Sequence, residues 1–346
     1  MMPDNDHYVI IGNGPAGNHA AATLRQKDKD AKITIISDEC IPYYYKPKLT
    51  DFIADKIVKE DLLVNPLDSY EIKNIRVRCG QAVDRIDPDS KTLFLQHMEK
   101  IKYSKLIIAS GSNARVLPSM SSYADHLKFV TSYADVMEVK DEIQKAKDFF
   151  IFGGDLVGFK FLRMLSSMDK NVSILIYPDA FWPYHLTAGM MAQIIENLSK
   201  LNADIIVDDD ILSIDEQNGS YRLTTQKGIE KTVDMVFSFN GLIPNIEFAK
   251  GSGIDIDHGI LVDEYLKTNV SSIYACGSCA QIYNRTIKSY STSIGWPNAV
   301  AQGEAAALNL LGDHKVIESV SKKYFDLEGV KIKTSWWEDI DKDSDA

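Results

Sequence analysis

The stretch HYVIIGNGPAGNHAAATLRQ, residues 7–26, constrains this chain more than any other. A short apolar run, Tyr8 to Ile11, leads into Gly12, Gly14 and Gly17, with Pro15 and Ala16 between the last two. Small and helix-forming residues follow from Asn18 to Gln26. The pattern predicts a strand, a tight turn and a helix. In such a unit the first glycine permits the turn, the second lets backbone approach a pyrophosphate, and the third lets helix and strand pack closely. The helix N-terminus then offers free N–H groups and a positive dipole end to the phosphates. A second strand, KITIIS, ends at Ser37, and Asp38 and Glu39 follow it, 21 and 22 residues after Gly17. That is where a carboxylate accepts hydrogen bonds from an adenosine ribose. Strand, helix, second strand and acid together read as a dinucleotide-binding unit.

A later stretch, FFIFGGDLVG, repeats the pattern with a difference. Gly153, Gly154 and Gly158 follow an apolar run, but the position of the close-approach glycine is Asp155. Its Cβ and carboxylate stand where a pyrophosphate belongs. An ionised carboxylate about 4 Å from a phosphate costs roughly 4 kcal/mol at an effective dielectric near 20. The next strand, NVSILIY, carries Ile176 where the ribose acid belongs, and no Arg or Lys lies between Ile176 and His185 to favour a 2′-phosphate. The fold of this second βαβ unit is expected to be intact. As a nucleotide site, Gly153, Gly154, Asp155 and Gly158 read as degraded. The unit then serves as scaffold, or docks a protein or another ligand.

The length of 346 residues allows two or three domains, and 45% hydrophobic with 25% charged residues is the balance of a soluble globular protein. A net charge of −11 argues against nucleic acid and anionic membrane as partners. No apolar run approaches the roughly 18 residues of a membrane helix, and the N-terminus lacks the features of a signal peptide. Four cysteines are too few for a disulfide scaffold, which points to a reducing cytoplasm. Seven scattered histidines without ligand spacing imply no metal site. The acidic end, WWEDIDKDSDA, reads as a solvated tail.

Five further stretches carry a family resemblance. They are IPYYYKPKLTDFIA with Lys46, YSKLIIASGSNARVLP with Ala109, Ser110 and Gly111, and MVFSFNGLIPNIEFA. GILVDEYLKTNVSSIYACGSCAQ with Gly277 and Ser278, and GWPNAVAQGEAAALNLLG with Trp296 and Pro297, complete the set. In this order, with the two glycine turns, they resemble the FAD-dependent pyridine nucleotide–disulfide oxidoreductase superfamily. The first of them is similar to the subgroup of NADH:rubredoxin reductases and nitrite reductase FAD domains. The resemblance implies an α/β fold with two Rossmann-like dinucleotide-binding domains. Residues 1–118 and 238–312 would form a discontinuous FAD domain, and residues 119–237 an inserted NAD(P)-type domain. Residues 313–346 would be a truncated remnant of the interface domain, able to supply two short strands, leaving the flavin face open to a partner. FAD would contact the first glycine turn, Asp38 or Glu39, Lys46, the 109–111 segment, Gly277, Ser278, Trp296 and Pro297.

By the same resemblance the chain is an FAD oxidoreductase that exchanges electrons with a redox protein such as rubredoxin, ferredoxin or an iron–sulfur subunit. NAD(P)H is the family's donor, and the second turn argues against it here. Two alternatives stay open: a non-catalytic FAD-binding subunit of a larger redox complex, and a cysteine-based peroxide or disulfide reductase. Several departures from the family matter. A Lys–Glu pair beside the flavin appears with its charges exchanged, as Asp51 and Lys160, which would tune the flavin if the two side chains meet. Ser278 replaces the family's ribityl-binding Asp. Cys276 and Cys279 form a C-x-x-C, with packing the favoured role over redox work, and Cys40 lies one residue away from another subgroup's catalytic position. The aromatic stretch DAFWPYH, residues 179–185, is a surface for stacking or simple packing.

Overall fold

The computed structural model describes residues 6–177, 186–285, 288–293, 295–317 and 324–333. Strand β1 (His7–Ile11) enters helix α1 (Pro15–Lys27) directly. Strands β2 (Lys32–Ile36), β3 (Ile75–Arg78) and β4 (Lys105–Ile108) follow. Helix α2 (Tyr133–Lys145) precedes strand β5 (Asp148–Gly153), which turns into α3 (Leu156–Ser167). Strand β6 (Asn171–Ile176), helix α4 (Ala188–Leu198), and strands β7 (Ala203–Ile206) and β8 (Met235–Phe239) continue this half. Strand β9 (Ile273–Ala275), helix α5 (Trp296–Leu310) and a closing hairpin of β10 (Tyr324–Leu327) and β11 (Val330–Lys333) complete the elements used below.

Two parallel sheets result. The first has the order β9-β4-β1-β2-β3, and the second β7-β6-β5-β8. All of the second sheet lies between β4 and β9 in sequence, so one Rossmann-like unit is inserted in the other. The crossings out and back lie together: Ser112–Ala114 pairs antiparallel with Leu242–Pro244. Strands buried on both faces need continuous apolar runs, and β1, β2 and β4 supply them with Val9, Ile10, Ile33, Ile35, Leu106 and Ile107. The second sheet uses aromatics instead: Phe149, Phe150, Phe152 and Phe237 are fully buried, as are Phe159 and Phe161 on α3. Each contributes about 1.5–3 kcal/mol of burial.

The segment after β2 bridges the two units. Ile41, Tyr44, Leu49 and Ile53 bury themselves in the same cluster as Phe149, Phe161 and Val139 of the inserted half. The end of the chain forms the two expected short strands. Leu327, Val330 and Ile332 pack in that cluster with Ile194 and Leu198 of α4, and Asn197 donates to the Glu328 carbonyl. Among the described residues no helix is long and apolar enough to cross a membrane. The aromatic stretch 179–185 and the acidic tail lie outside the described residues.

Candidate functional site

The first glycine turn sits at the carboxyl ends of β1 and β4, where strand order reverses and open α/β sheets bind ligands. Gly12 has φ +103, and a Cβ there would lie 2.1 Å from the Ala109 carbonyl oxygen. A Cβ on Gly17 would lie 2.0 Å from the Gly12 carbonyl oxygen. Both glycines are therefore demanded by packing. Gly14 is different: a Cβ there would meet nothing within 4 Å, and its φ of −76 suits any residue. No side chain caps α1, so the amides of its first turn face outward with their dipole. Packing alone does not call for a glycine at Gly14, whereas a phosphate approaching the backbone does.

Two orphaned buried atoms lie beside this turn. The Asn13 amide nitrogen has no partner, although its Oδ1 accepts from Asn18 at 3.0 Å and from the Tyr70 hydroxyl at 3.1 Å. The Gln81 side-chain oxygen is likewise unpaired. Gln81 lines a cavity of about 100 Å³ together with Gly12, Asp38, Ala82, Ser110 and Asn245. An open phosphate approach, an exposed carboxylate at the end of β2 and unpaired donors and acceptors fit an adenine dinucleotide. Sequence reasoning missed Asn13, Tyr70 and Gln81. The Asn between two glycines was the available hint, whereas Tyr70 joins the network across 57 residues.

The two acids after β2 divide. Asp38 is exposed at the cavity. Glu39 turns away: its carboxylate accepts from the Tyr44 hydroxyl at 2.7 Å and the Tyr133 amide at 3.3 Å, and pairs with Lys46 at 3.2 Å. Lys46 also donates to the Thr131 carbonyl, so it ties the bridging segment to the start of α2. Burial and the adjacent Glu39 push the Tyr44 hydroxyl's pKa far up, which keeps it a neutral donor.

The other site residues converge from three directions. The Ser110 hydroxyl donates to the Asn245 carbonyl at 2.7 Å, and Asn245 donates back to the Gly111 carbonyl. Gly277 packs against α1, where a Cβ would stand 3.2 Å from that of Ala16, and its amide donates to Gln302 of α5. The Ser278 and Ser112 hydroxyls hydrogen-bond at 3.0 Å. Trp296 opens α5, followed by exposed Pro297, and stacks on Tyr43 at 5.3 Å. Pro15 and Ala16 open α1, held to α5 by Gly303, whose Cβ would lie 2.1 Å from the Ala16 carbonyl.

Asp51 and Lys160 are not joined as an ion pair. Lys160 donates to the Pro47 carbonyl instead, and Asp51 makes no ion pair among the described residues. The charges sit on adjoining elements, but the backbone of the bridging segment takes the lysine. Cys276 and Cys279 are fully buried, and burial pushes both thiols up, so neither is a ready nucleophile. Among the described residues no group of His, Cys, Asp or Glu is placed to hold a metal.

The second glycine turn reproduces the first in backbone and differs in one side chain. Gly153 has φ +112, and a Cβ there would lie 2.1 Å from the Phe239 carbonyl oxygen, matching Gly12 and Ala109. Asp155 is the N-cap of α3 with φ −68 and ψ −176, close to the −76 and −169 of Gly14. Its Oδ1 accepts from the Val157 and Gly158 amides, both at 2.9 Å. Its Oδ2 accepts from the Gly241 amide at 3.1 Å. These are the donors a pyrophosphate would use. Desolvation pushes the Asp155 pKa up, and the three amides pull it partly back. At Ile176 the next strand offers no ribose acid. The second turn thus does not present an open pyrophosphate cradle.

A family model described as pyridine nucleotide-disulphide oxidoreductase matches residues 6–303. The NADH-rubredoxin oxidoreductase of Clostridium acetobutylicum is 31% identical over 326 residues, covering 94% of this chain and 80% of the relative. The putidaredoxin reductase of Pseudomonas putida is 26% identical over 323 residues, covering 90% and 75%. The crystal structure of NADH:rubredoxin oxidoreductase from Clostridium acetobutylicum superposes with a TM-score of 0.75 at 29% identity, covering 95% of this chain and 82% of that one.

Proposed function

We propose that this chain, which belongs to the pyridine nucleotide-disulphide oxidoreductase family, is an FAD-dependent oxidoreductase that exchanges electrons with a small one-electron redox protein such as rubredoxin or ferredoxin. The observation that carries this reading is the first glycine turn: an uncapped α1, a Gly14 with free space at its Cβ position, and Asp38 at the adjoining cavity. Relatives named as rubredoxin and putidaredoxin reductases support the partner class. Residues 1–118 and 238–312 would form the FAD domain and residues 119–237 the inserted domain, in keeping with the two sheets. A cytoplasmic location belongs to the same proposal, since all four cysteines are free.

In this reading the α1 amides and Gly14 hold the pyrophosphate, Asp38 accepts from the adenosine ribose, and the Asn13 amide supplies a further donor. Gly277 and Ser278, placed against the start of α1, would hold the ribityl chain. Ser278 contributes one hydroxyl where the family has a carboxylate. Trp296, stacked on Tyr43, walls the site on the side of α5. Bound FAD would supply the exchange between two-electron and one-electron chemistry, while these residues bind, orient and exclude water.

Asp155 favours a second reading of the electron source. A nicotinamide nucleotide must displace a carboxylate from three amides before its pyrophosphate reaches α3, whereas a protein donor need not. The test is to purify the protein, identify the bound flavin, reduce it with dithionite without oxygen, and mix it with oxidised rubredoxin. Stoichiometric FAD and rapid rubredoxin reduction support the proposal. A protein that binds no FAD, or whose reduced flavin reduces neither rubredoxin nor ferredoxin, overturns it.

A further inference from the structure

We infer that Cys40 and Cys79 are the two halves of a reversible disulfide that locks one wall of the cofactor cavity. The strands that precede them run parallel, with Ile36 paired to Arg78. The pairing continues past the strand ends: Ser37 donates to the Arg78 carbonyl and Gln81 donates to the Ser37 carbonyl, both at 2.9 Å. That pairing sets Ser37 beside Cys79, and the chain then brings the Cys40 sulfur back against Gly80, the residue next to Cys79. Gly80 makes the approach workable. Its φ is +66, and a Cβ there would lie 2.6 Å from the Cys40 sulfur. The thiol therefore occupies space that only a glycine leaves. Hydrogen bonding and charge from Cys79 raise the Cys40 thiol's pKa. Both thiols are free and exposed, in contrast to the buried Cys276 and Cys279.

The placement gives the bridge a consequence. Asp38 lies two residues before Cys40, and Gln81 two residues after Cys79, and both line the cavity at the first glycine turn. Joining the sulfurs ties together the two segments that carry them. The oxidant is a low-molecular-weight disulfide such as oxidised glutathione. The Cys79 thiolate attacks one of its sulfurs and expels a thiolate. The Cys40 thiolate then attacks the Cys79 sulfur and expels the second thiolate. Two protein thiols are oxidised, the small disulfide is reduced to two thiols, and the two protein protons end on them. The crosslink stands independently of the proposed function. Its effect on FAD rests on that reading.

The experiment incubates the flavin-loaded protein with oxidised glutathione, then maps peptides and follows FAD release. The expected result is a joined Cys40–Cys79 peptide without glutathione, reversal by dithiothreitol, and FAD release slowed severalfold. Cys79→Ser should instead carry glutathione on Cys40 and release FAD as fast as the unaltered protein does before oxidation. Stable glutathione on both cysteines of the unaltered protein, with no joined peptide, overturns the bridge. A joined peptide with unchanged FAD release overturns the lock on the cavity, and this result is separate from any failure to bind FAD.

Discussion

Asp155 accepts a hydrogen bond from the backbone amide of Gly241 at 3.1 Å, across 86 residues of sequence. With its other oxygen on Val157 and Gly158, the carboxylate joins the start of α3 to the exit of β8. It takes backbone amides that a phosphate at such a turn would need. The first turn, with almost the same backbone, carries a glycine there and stays open.

The partly buried Asp155, with its carboxylate turned onto three backbone amides, is a source of pH dependence. Its folded pKa is raised, chiefly by desolvation. A group with a raised folded pKa contributes stability that is fully present below its unfolded value, near about 3.9, and lost as pH rises through the folded value. Asp155→Asn keeps an N-cap side chain and removes the titration. The thermal midpoint of the unaltered protein, relative to the variant, should therefore fall as pH rises from about 4. A constant difference between the two proteins across that window argues against the assignment.

Gly14 and Gly17 separate binding from folding. Gly17→Ala places a Cβ 2.0 Å from the Gly12 carbonyl and should cost about 3 kcal/mol, since backbone must shift. Gly14→Ala has open space and an ordinary φ. It should leave the thermal midpoint of the FAD-free protein unchanged while weakening FAD affinity by about tenfold, or about 1.4 kcal/mol. Melting curves with and without FAD check both. Equal FAD affinity in Gly14→Ala contradicts the placement of the pyrophosphate.

The glycine turns and their order were legible because they are local: a left-handed φ or a 2 Å approach admits few residues. The assignment of the two acids after β2 was not. Asp38 and Glu39 are adjacent in sequence, and only the positions of Tyr44 and Tyr133 decide that Glu39 turns away. The direction of the Asp155 carboxylate was equally hidden, because one of its donors comes from Gly241. Whether Asp51 and Lys160 pair was hidden too: Lys160 donates to the Pro47 carbonyl, 113 residues away in sequence, rather than forming an ion pair with Asp51.

The division of the acids gives its own test. Asp38→Ala should weaken FAD and leave the FAD-free protein as stable as before. Glu39→Ala takes the acceptor from the Tyr44 hydroxyl, while the Tyr133 amide keeps its hydrogen bond to Tyr44, and should cost about 1–2 kcal/mol of stability, with a smaller effect on FAD. Titration by flavin fluorescence and denaturant melts read the two quantities separately. The reverse pattern would assign the ribose to Glu39.

The most direct measurement mixes the flavin-loaded protein with NADH without oxygen and follows the flavin absorbance, for the unaltered chain and for Asp155→Gly. The carboxylate that occupies the amides of α3 predicts that the unaltered protein bleaches only at high NADH concentration. Asp155→Gly should bleach at concentrations lower by about tenfold or more, with a stability loss of about 1 kcal/mol from the missing hydrogen bonds. Equal midpoints for the two proteins, or rapid bleaching of the unaltered chain at micromolar NADH, would contradict a closed second cradle.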